Sequence, residues 1–276
     1  MSVAKALRAL KNIICIKWGT VYGPQYVNTL YAMAARNVTG DFKFVCFTDD
    51  PTGVCPEVTC LPLPQLGCEI PPDVPGKWPK IALWGKDLPL TGVALFIDLD
   101  SVIVGNIDGY FEYGNPEDVI TARNWLNRLG KSAQTSVFRF PVGKHSYMLE
   151  NLQADSTNVS RKYQYEQNYV THNVRGGVKF WPEGWTRHFR VHCMGAWPLR
   201  YLRPPILPKG AKIITFPGLP GPAAAAEGRW TENGEIRSPK DHLRWVWTQF
   251  REGKKWKKHI SRYVRKADWI AENWRE

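Results

Sequence analysis

The sequence lacks any apolar run that approaches the ~20 residues of a membrane-spanning helix. The apolar stretch behind the basic N-terminus covers only residues 13–16, which is too short for a signal peptide. No Cys-x-x-Cys pair occurs among the six cysteines, and the spacing of Cys55, Cys60 and Cys68 matches no usual zinc pattern. These absences favour a protein of the reducing cytoplasm.

Acidic residues are scarce relative to basic ones, since 25 Asp and Glu stand against 37 Lys and Arg and leave a net charge of +12. This excess suggests an anionic partner, which could be a phosphorylated ligand, a nucleic acid or an acidic membrane surface. A Gly-x-Gly-x-x-Gly motif is also missing from the loop after the first predicted strand. Its absence argues against a standard dinucleotide-binding fold.

A chain of 276 residues, 43% of them hydrophobic, can bury a substantial core and belongs to the ordinary globular class. Residues 13–18 predict a first strand, and Pro24 opens a helix that carries apolar residues at helical spacing. Residues 42–47 predict a second strand. The resulting β-α-β unit favours a parallel sheet with right-handed crossovers.

Residues 93–100 run from five apolar side chains directly into two carboxylates, Asp98 and Asp100. An apolar run of this length predicts a strand buried on both faces. Positions i and i+2 of a strand share a face, so both carboxylates would project together from its C-terminal end. Converging carboxylates repel unless a cation lies between them, and a hard divalent cation is the natural choice. The alternative is a strand that simply leaves the core into polar residues.

Two lysines and two loop aromatics are candidates for ligand contact. Lys77 and Lys80 flank the start of a predicted helix at residues 78–86 and could reach a phosphate, although Lys77 is better interpreted as an ordinary surface lysine. Trp18 and Tyr22 follow the first strand and offer stacking surfaces, unless they are simply packed.

His188 and His192 lie four residues apart, a spacing that suits a zinc pair. Without a clear third ligand, such a pair is more often structural. Further strands are predicted at residues 119–122, 136–140, 187–191 and 213–216, and a helix begins at residue 147.

The composition changes at residue 237. Residues 237–276 hold 12 Lys and Arg, 5 acids and five of the 13 Trp. Apolar side chains keep helical spacing on both sides of Gly253, which predicts two amphipathic helices with a basic solvent face. Such a face is usually just solvated, but it also suits an anionic membrane surface or a phosphate backbone.

The order of strand, loop, helix and strand, then Thr-Asp-Asp and Phe-Ile-Asp-Leu-Asp-x-x-Ile-Val-Gly-Asn-Ile-Asp-x-x-Phe, resembles the GT-A-fold glycosyltransferases. More narrowly, the sequence is similar to family 8, which includes glycogenin and the lipooligosaccharide galactosyltransferases, and to its small bacterial relatives. The resemblance is strongest over residues 12–111. It implies an α/β fold with a mostly parallel, Rossmann-like central sheet flanked by helices. Residues 1–236 would form the catalytic domain, and residues 237–276 a basic helical extension.

The resemblance also implies a nucleoside diphosphate sugar as donor (a UDP-sugar favoured), Mn²⁺ or Mg²⁺ as cofactor, and retention of anomeric configuration. With the basic tail, it suggests a glycan or lipid-linked acceptor, as in lipopolysaccharide biosynthesis, at the inner membrane face. The implied residues are Asp98 and Asp100 for the metal; Trp18, Tyr22, Asp49, Lys80, Asp98 and Gly218 for the donor; and Gln134, Glu166 and Gln167 near the reacting carbon.

The late loop at residues 215–222 departs from the family's His-aromatic-x-Gly-x-x-Lys-Pro pattern. It keeps the aromatic residue, the Gly and the final Pro, but it has neither the His that would bind metal nor the Lys that would contact the diphosphate. Residues of the basic tail could replace the missing charge. Two alternatives therefore stay open: a non-catalytic protein that binds sugar nucleotides, and a glycosyltransferase that acts on nucleic acid, which the net charge would also suit.

Overall fold

A computed structural model describes residues 10–125, 130 and 132–276, so most of the basic N-terminal stretch lies outside the described residues. The chain divides into two compact units. The first comprises residues up to Asn28 together with Val38–Leu99 and Ile107–Pro182, and the second comprises Thr29–Asn37, Asp100–Asn106 and Glu183–Glu276. The boundary predicted at residue 236 stays a prediction.

The regular elements follow the chain in a largely alternating order of strands and helices. They are β1 (Lys11–Lys17), α1 (Pro24–Asn37), β2 (Phe42–Thr48), β3 (Thr59–Pro62), a 3₁₀ helix (Trp78–Trp84), β4 (Val93–Ile97), β5 (Ser101–Ile103), α2 (Gly109–Glu112), β6 (Ile120–Arg123), β7 (Ala133–Pro141), α3 (Tyr147–Ala154), α4 (Ser156–Tyr163), α5 (Glu166–Asn173), β8 (Lys179–Phe180), β9 (Thr186–His188), a π-helical turn (Phe189–Cys193), a 3₁₀ turn (Leu199–Tyr201), β10 (Ile213–Thr215), α6 (Pro222–Glu227), α7 (Pro239–Arg251), α8 (Trp256–Ile260) and α9 (Asp268–Asn273).

The first unit is built on a seven-stranded sheet in the order β3-β2-β1-β4-β7-β6-β8. Neighbouring strands are parallel except at β7, which runs antiparallel to both β4 and β6. The parallel pairing of β1 with β2 across α1 confirms the predicted β-α-β unit. Ligands of open α/β sheets bind beyond the carboxyl ends of the strands, so the segments after β1, β2 and β4 are the first place to look for a site.

Aromatic side chains fill the core of the first unit. The rings of Trp84 and Phe138 stack with centroids 5.7 Å apart, and Phe96 stacks on Phe138 at 5.0 Å. Strand β1 is buried along its whole length, as expected for a central strand that is covered on both faces. This packing gives the residues at the strand ends a rigid base.

The second unit has a small sheet of its own, in the order β5-β10-β9. Strand β10 is antiparallel to β5 and parallel to β9. The predicted strand at residues 187–191 is wrong in its second half, because the chain enters a π-helical turn after His188. The His188 Nδ1 atom accepts a hydrogen bond from the Arg190 amide at 3.1 Å, which fixes this change of direction.

The strand predicted through residues 93–100 is shorter than expected. Strand β4 ends at Ile97, and the Asp98 amide still donates to the Ser136 carbonyl at 2.8 Å. The chain then turns at Leu99 and Asp100, and the Leu99 side chain is buried. Asp98 and Asp100 therefore do not lie on one continuous strand, and the premise that strand alternation aligns their side chains is wrong.

The second of the predicted C-terminal helices is also shorter than expected. Helix α8 ends at Ile260 because side chains from elsewhere bind the carbonyls that its next turn would use. The His242 Nε2 atom donates to the His259 carbonyl at 3.1 Å, and the Tyr201 hydroxyl donates to the Ile260 carbonyl at 2.7 Å. Tyr263, which continues the apolar spacing beyond Gly253, lies instead in the segment after this helix and is buried there.

Candidate active site

An ion pair between the buried Lys80 and the half-buried Asp98 lies at the carboxyl end of β4. Lys80, on the 3₁₀ helix, is 6% exposed, and its Nζ atom lies 2.8 Å from Oδ1 and 3.0 Å from Oδ2 of Asp98. The same ammonium group donates to the Thr135 carbonyl at 3.1 Å and lies 4.6 Å from the centre of the Phe96 ring. The predicted helix at residues 78–86 is instead this short 3₁₀ helix, and it directs Lys80 inward rather than to the surface.

Glu166 is connected to this pair through Thr135. The Thr135 hydroxyl donates to Glu166 Oε1 at 3.2 Å, and the Lys77 amide donates to Glu166 Oε2 at 2.9 Å. Glu166 is only 7% exposed. Gly76 has a φ of +109°, and a Cβ atom there would lie 3.1 Å from Glu166 Oε2, so this close approach favours glycine. Both carboxylate oxygens thus bind protein groups, which favours a positioning role for Glu166.

The two candidate glutamines lie on β7 and α5, the elements that the hydrogen bond between Thr135 and Glu166 joins. Gln134 on β7 accepts from the Ser136 amide through Oε1 at 2.9 Å and donates through Nε2 to the Ser136 hydroxyl at 2.6 Å. Gln167 is half-buried in the first turn of α5, and its carbonyl accepts from the Thr171 hydroxyl at 2.6 Å. That hydroxyl in turn accepts from the Ala133 amide at 2.9 Å, which ties α5 to the start of β7. Gln134, Glu166 and Lys80 therefore belong to one hydrogen-bonded framework.

The loop after β1 is tied to the end of β2. Asp49 accepts from the Gly19 amide through Oδ2 at 2.8 Å, so its carboxylate fixes the loop that carries Trp18 and Tyr22. Trp18 is 36% exposed, and the Lys77 Nζ atom lies 5.7 Å from the centre of its ring. Lys77, expected to be an ordinary surface lysine, thus lies beside an aromatic surface of the candidate site.

A second carboxylate near this loop is held in its ionised form. The Thr52 amide donates to Asp50 Oδ1 at 2.9 Å, and hydrogen bonds from Thr52 lower the pKa of Asp50. The Asp50 carbonyl also accepts from the Lys17 Nζ atom at 2.9 Å, and Lys17 is buried at the end of β1. Sequence reasoning missed Lys17, since it stands in no motif.

Two further predicted site residues belong to the second unit. Asp100 is half-buried and directly precedes β5. Gly218 follows β10 in the late loop and has a φ of +79°, a conformation that L side chains rarely adopt. Carboxylates such as those of Asp98 and Asp100 are ligands that Mg²⁺ and Mn²⁺ accept in proteins. No group of three or more His, Cys, Asp or Glu residues suited to a metal occurs within residues 10–125, 130 and 132–276.

The histidine pair makes local hydrogen bonds. The His192 Nδ1 atom accepts from the His188 amide at 2.9 Å, and His188 Nδ1 accepts from the Arg190 amide. Burial, with the charge of Arg190 second, lowers the pKa of His188 to about 4. These contacts agree with a structural role for the pair.

Several solved structures of glycosyltransferases share this fold. Glycosyltransferase GlyE of Streptococcus pneumoniae TIGR4 matches 91% of this chain with a TM-score of 0.55 and 12% identity. Galactosyltransferase LgtC, solved in complex with donor and acceptor sugar analogs, matches 90% of this chain with a TM-score of 0.56 and 10% identity. The bifunctional glycosyltransferase WbbM matches 92% of it with a TM-score of 0.52 and 11% identity.

The chain spans 99% of the LgtC chain, 63% of the GlyE chain and 52% of the WbbM chain. No protein-family model matches the sequence, and no curated protein matches it either. The chain has the GT-A fold, which confirms the α/β architecture with a mostly parallel central sheet that the sequence resemblance implied. At these identities the likeness concerns the fold.

Proposed function

We propose that this protein is a glycosyltransferase that moves a sugar from a nucleoside diphosphate sugar to a glycan or lipid-linked acceptor, with retention of configuration. The observation that carries the proposal is the Lys80–Asp98 ion pair at the carboxyl end of β4, in a fold that glycosyltransferases share. A buried ammonium group at a ligand-binding sheet edge is well suited to attract phosphate.

In this proposal the donor lies along the ends of β1, β2 and β4. Trp18 and Tyr22 would stack on the nucleoside, and Asp49 would both hold their loop and contact the donor. Lys80, positioned by Asp98, would donate to a diphosphate or sugar oxygen, and Gly218 would let the backbone of the late loop approach. A UDP-sugar is the favoured donor.

Asp100, together with Asp98, is proposed to hold Mn²⁺ or Mg²⁺. When bound, such a cation neutralises the negative charge that develops on the departing diphosphate. As the family resemblance implies, Asp100 would bind the metal, and Asp98, which pairs with Lys80, would contact the metal or the ribose.

Gln134 and Gln167 are proposed to face the reacting carbon. The sugar acquires oxocarbenium character as its bond to the diphosphate breaks, and an amide oxygen nearby can stabilise that charge. Glu166 would act by fixing the segments that carry these glutamines, because both of its oxygens bind protein groups.

The acceptor is proposed to be a glycan of the lipopolysaccharide type at the inner membrane face, with the protein in the cytoplasm. Support comes from α7, where Leu243, Trp247 and Phe250 are 44%, 61% and 46% exposed within the basic extension at residues 237–276. This pattern suits peripheral contact with an anionic membrane. Of the residues that the structure describes, none lies in a helix long and apolar enough to cross a membrane.

A binding protein without turnover is the second candidate. The late loop favours it, since Thr215 stands where the family has a metal-binding His, and no Lys precedes Pro222.

One experiment separates these functions. Thermal unfolding is measured with a panel of nucleotide sugars, each with Mn²⁺, Mg²⁺ or EDTA, and transfer is measured in parallel with an extracted acceptor pool. The true donor, at a concentration 100-fold above its Kd, should raise the melting temperature by about 5 °C or more, and only when the metal is present. Asp100→Asn should abolish transfer in the folded protein. A melting shift without any turnover assigns the binding function, and no shift with any donor contradicts both.

A further inference from the structure

The second unit displays an unusual number of apolar side chains in one short loop, residues 197–206. Trp197, Leu199, Leu202 and Ile206 are 52%, 45%, 72% and 62% exposed. Single exposed apolar side chains are normal on soluble proteins, whereas several close together mark an interaction site.

Packing and hydrogen bonds hold the backbone of this loop in place, and the exposed side chains project from it. Tyr201 is buried, and its ring stacks on that of Tyr263 with centroids 4.5 Å apart. The Trp269 indole donates to the Pro205 carbonyl at 3.1 Å, and the Ile206 amide donates to the Cys193 carbonyl at 2.9 Å. The exposed side chains alternate with these anchors.

The stretch of chain that contains the loop carries basic residues and no acidic ones. The sequence contains no Asp or Glu between Glu183 and Glu227. Arg190, Arg203 and Lys209 are exposed in the same stretch. A basic stretch with exposed apolar side chains complements a surface that is anionic outside and apolar beneath.

We propose that residues 197–206 insert into the interfacial region of an anionic lipid bilayer, with Arg190, Arg203 and Lys209 on the phosphate groups. Trp is typical of this interfacial depth, and the aliphatic side chains gain from leaving water. A nucleic acid is a poorer match, because leucine and isoleucine do not stack on bases. The inference does not rest on glycosyl transfer, and it adds a second lipid contact to the one proposed for α7.

Binding of the full-length protein to vesicles tests this inference. We expect cosedimentation with phosphatidylcholine vesicles that contain one third phosphatidylglycerol, and little with phosphatidylcholine alone. The double variant Leu202→Glu/Ile206→Glu should weaken binding to the anionic vesicles by about tenfold or more. Trp247→Glu tests the other proposed lipid contact, on α7, by itself. Leu10→Glu/Val21→Glu is the matched control, because it places the same two charges at exposed apolar positions of the first unit, and it should bind like the wild type.

The outcomes separate the candidate surfaces. If Trp247→Glu abolishes binding while the Leu202→Glu/Ile206→Glu variant binds like the wild type, α7 alone carries the contact and the inference is overturned. Equal binding to neutral vesicles, or preferential binding to duplex DNA that the Leu202→Glu/Ile206→Glu variant loses, also overturns it. The variant's melting temperature and its response to the nucleotide sugar panel check its fold, and Leu202→Ala/Ile206→Ala replaces it if the glutamates impair folding.

Discussion

At the scale of single residues, Lys80 connects several parts of the candidate site, since its ammonium group contacts Asp98, the Thr135 carbonyl and the Phe96 ring. Its ammonium group neutralises Asp98, so its removal would leave a half-buried carboxylate without its cation. Lys80→Met should therefore raise the KM for the donor about 10–100-fold, while Lys80→Arg should keep part of the affinity. Lys86→Met, at an exposed position in the same segment, is the control. Steady-state kinetics that show equal effects of Lys80→Met and Lys86→Met would refute the assignment.

Substitutions of Glu166 distinguish a positioning role from a role as nucleophile. Glu166→Gln keeps the shape but retains only one acceptor oxygen, so it can accept from the Lys77 amide or the Thr135 hydroxyl but not from both. We expect kcat to fall about 10–100-fold together with a lower melting temperature, because the framework loosens. A nucleophile predicts a far larger loss of kcat at unchanged stability, with rescue of Glu166→Ala by azide or formate. Kinetics and calorimetry on both variants decide between the two roles.

His188 gives the second unit a dependence on pH. Its folded pKa of about 4 lies below the ordinary 6.5, so the unfolded state binds the proton first as pH falls. Its contribution to stability is complete above pH 6.5 and is lost as pH falls towards 4. The free energy of unfolding, measured with urea, should fall by about 2 kcal/mol between pH 7 and pH 5 because of this residue.

His188→Asn is the control for this pH dependence, since its Oδ1 can accept the Arg190 hydrogen bond without titrating. Burial also lowers the pKa of His145 and His242, so the variant keeps a smaller slope of the same sign. An unchanged slope in the variant would rule out His188 as the source.

At the scale of elements, one arginine of β7 holds the C-terminal end of α2. Arg139 is fully buried and donates through Nη1 to the carbonyls of Tyr110, Phe111 and Tyr113, at 3.2, 3.0 and 2.8 Å. Its Nη2 atom donates to the Asn115 carbonyl at 2.6 Å. The last carbonyls of a short helix lack intrahelical partners, and Arg139 supplies donors at this end of α2 and in the turn that follows it.

Arg139→Met should lower the free energy of unfolding by about 3–5 kcal/mol, because several buried carbonyls lose their donor at once. Chemical denaturation measures this change. Arg175→Met, at an exposed site in the same unit, should change the free energy by less than about 1 kcal/mol. A similar effect of both substitutions would show that the arginine is not the connection between β7 and α2.

At the scale of the whole molecule, the basic extension is not a detachable tail. Tyr263, Val264, Ala267 and Ile270 are all at most 5% exposed. The guanidinium group of Arg36 also donates to carbonyls at Asn273 and Arg275.

Truncation after residue 236 should therefore abolish cooperative unfolding of the second unit. The lost burial is on the order of the 5–15 kcal/mol that keeps a domain folded. Circular dichroism melting measures this, with deletion of Glu276 alone as the control. A truncated chain that melts at the wild-type temperature would show that the predicted boundary separates an independent segment.

The sequence by itself determined the backbone pattern of the first unit. Apolar runs of strand length, and Pro24 before a helical repeat, are local signals, and the β-α-β unit that they predict is present in the sheet. Local signals were less reliable where distant groups intervene. Strand β4 ends before Asp98, and α8 ends at Ile260 because Tyr201 binds its carbonyl.

Only the tertiary structure decided the partners of the site residues. Lys80 is 55 residues from Thr135 in sequence, and the Lys77 amide is 89 residues from Glu166, yet each pair is hydrogen-bonded. Spacing along the chain says which side chains share one strand or helix face. It cannot say which carboxylate a buried ammonium meets, because that choice follows from how separate strands and helices pack around a common core.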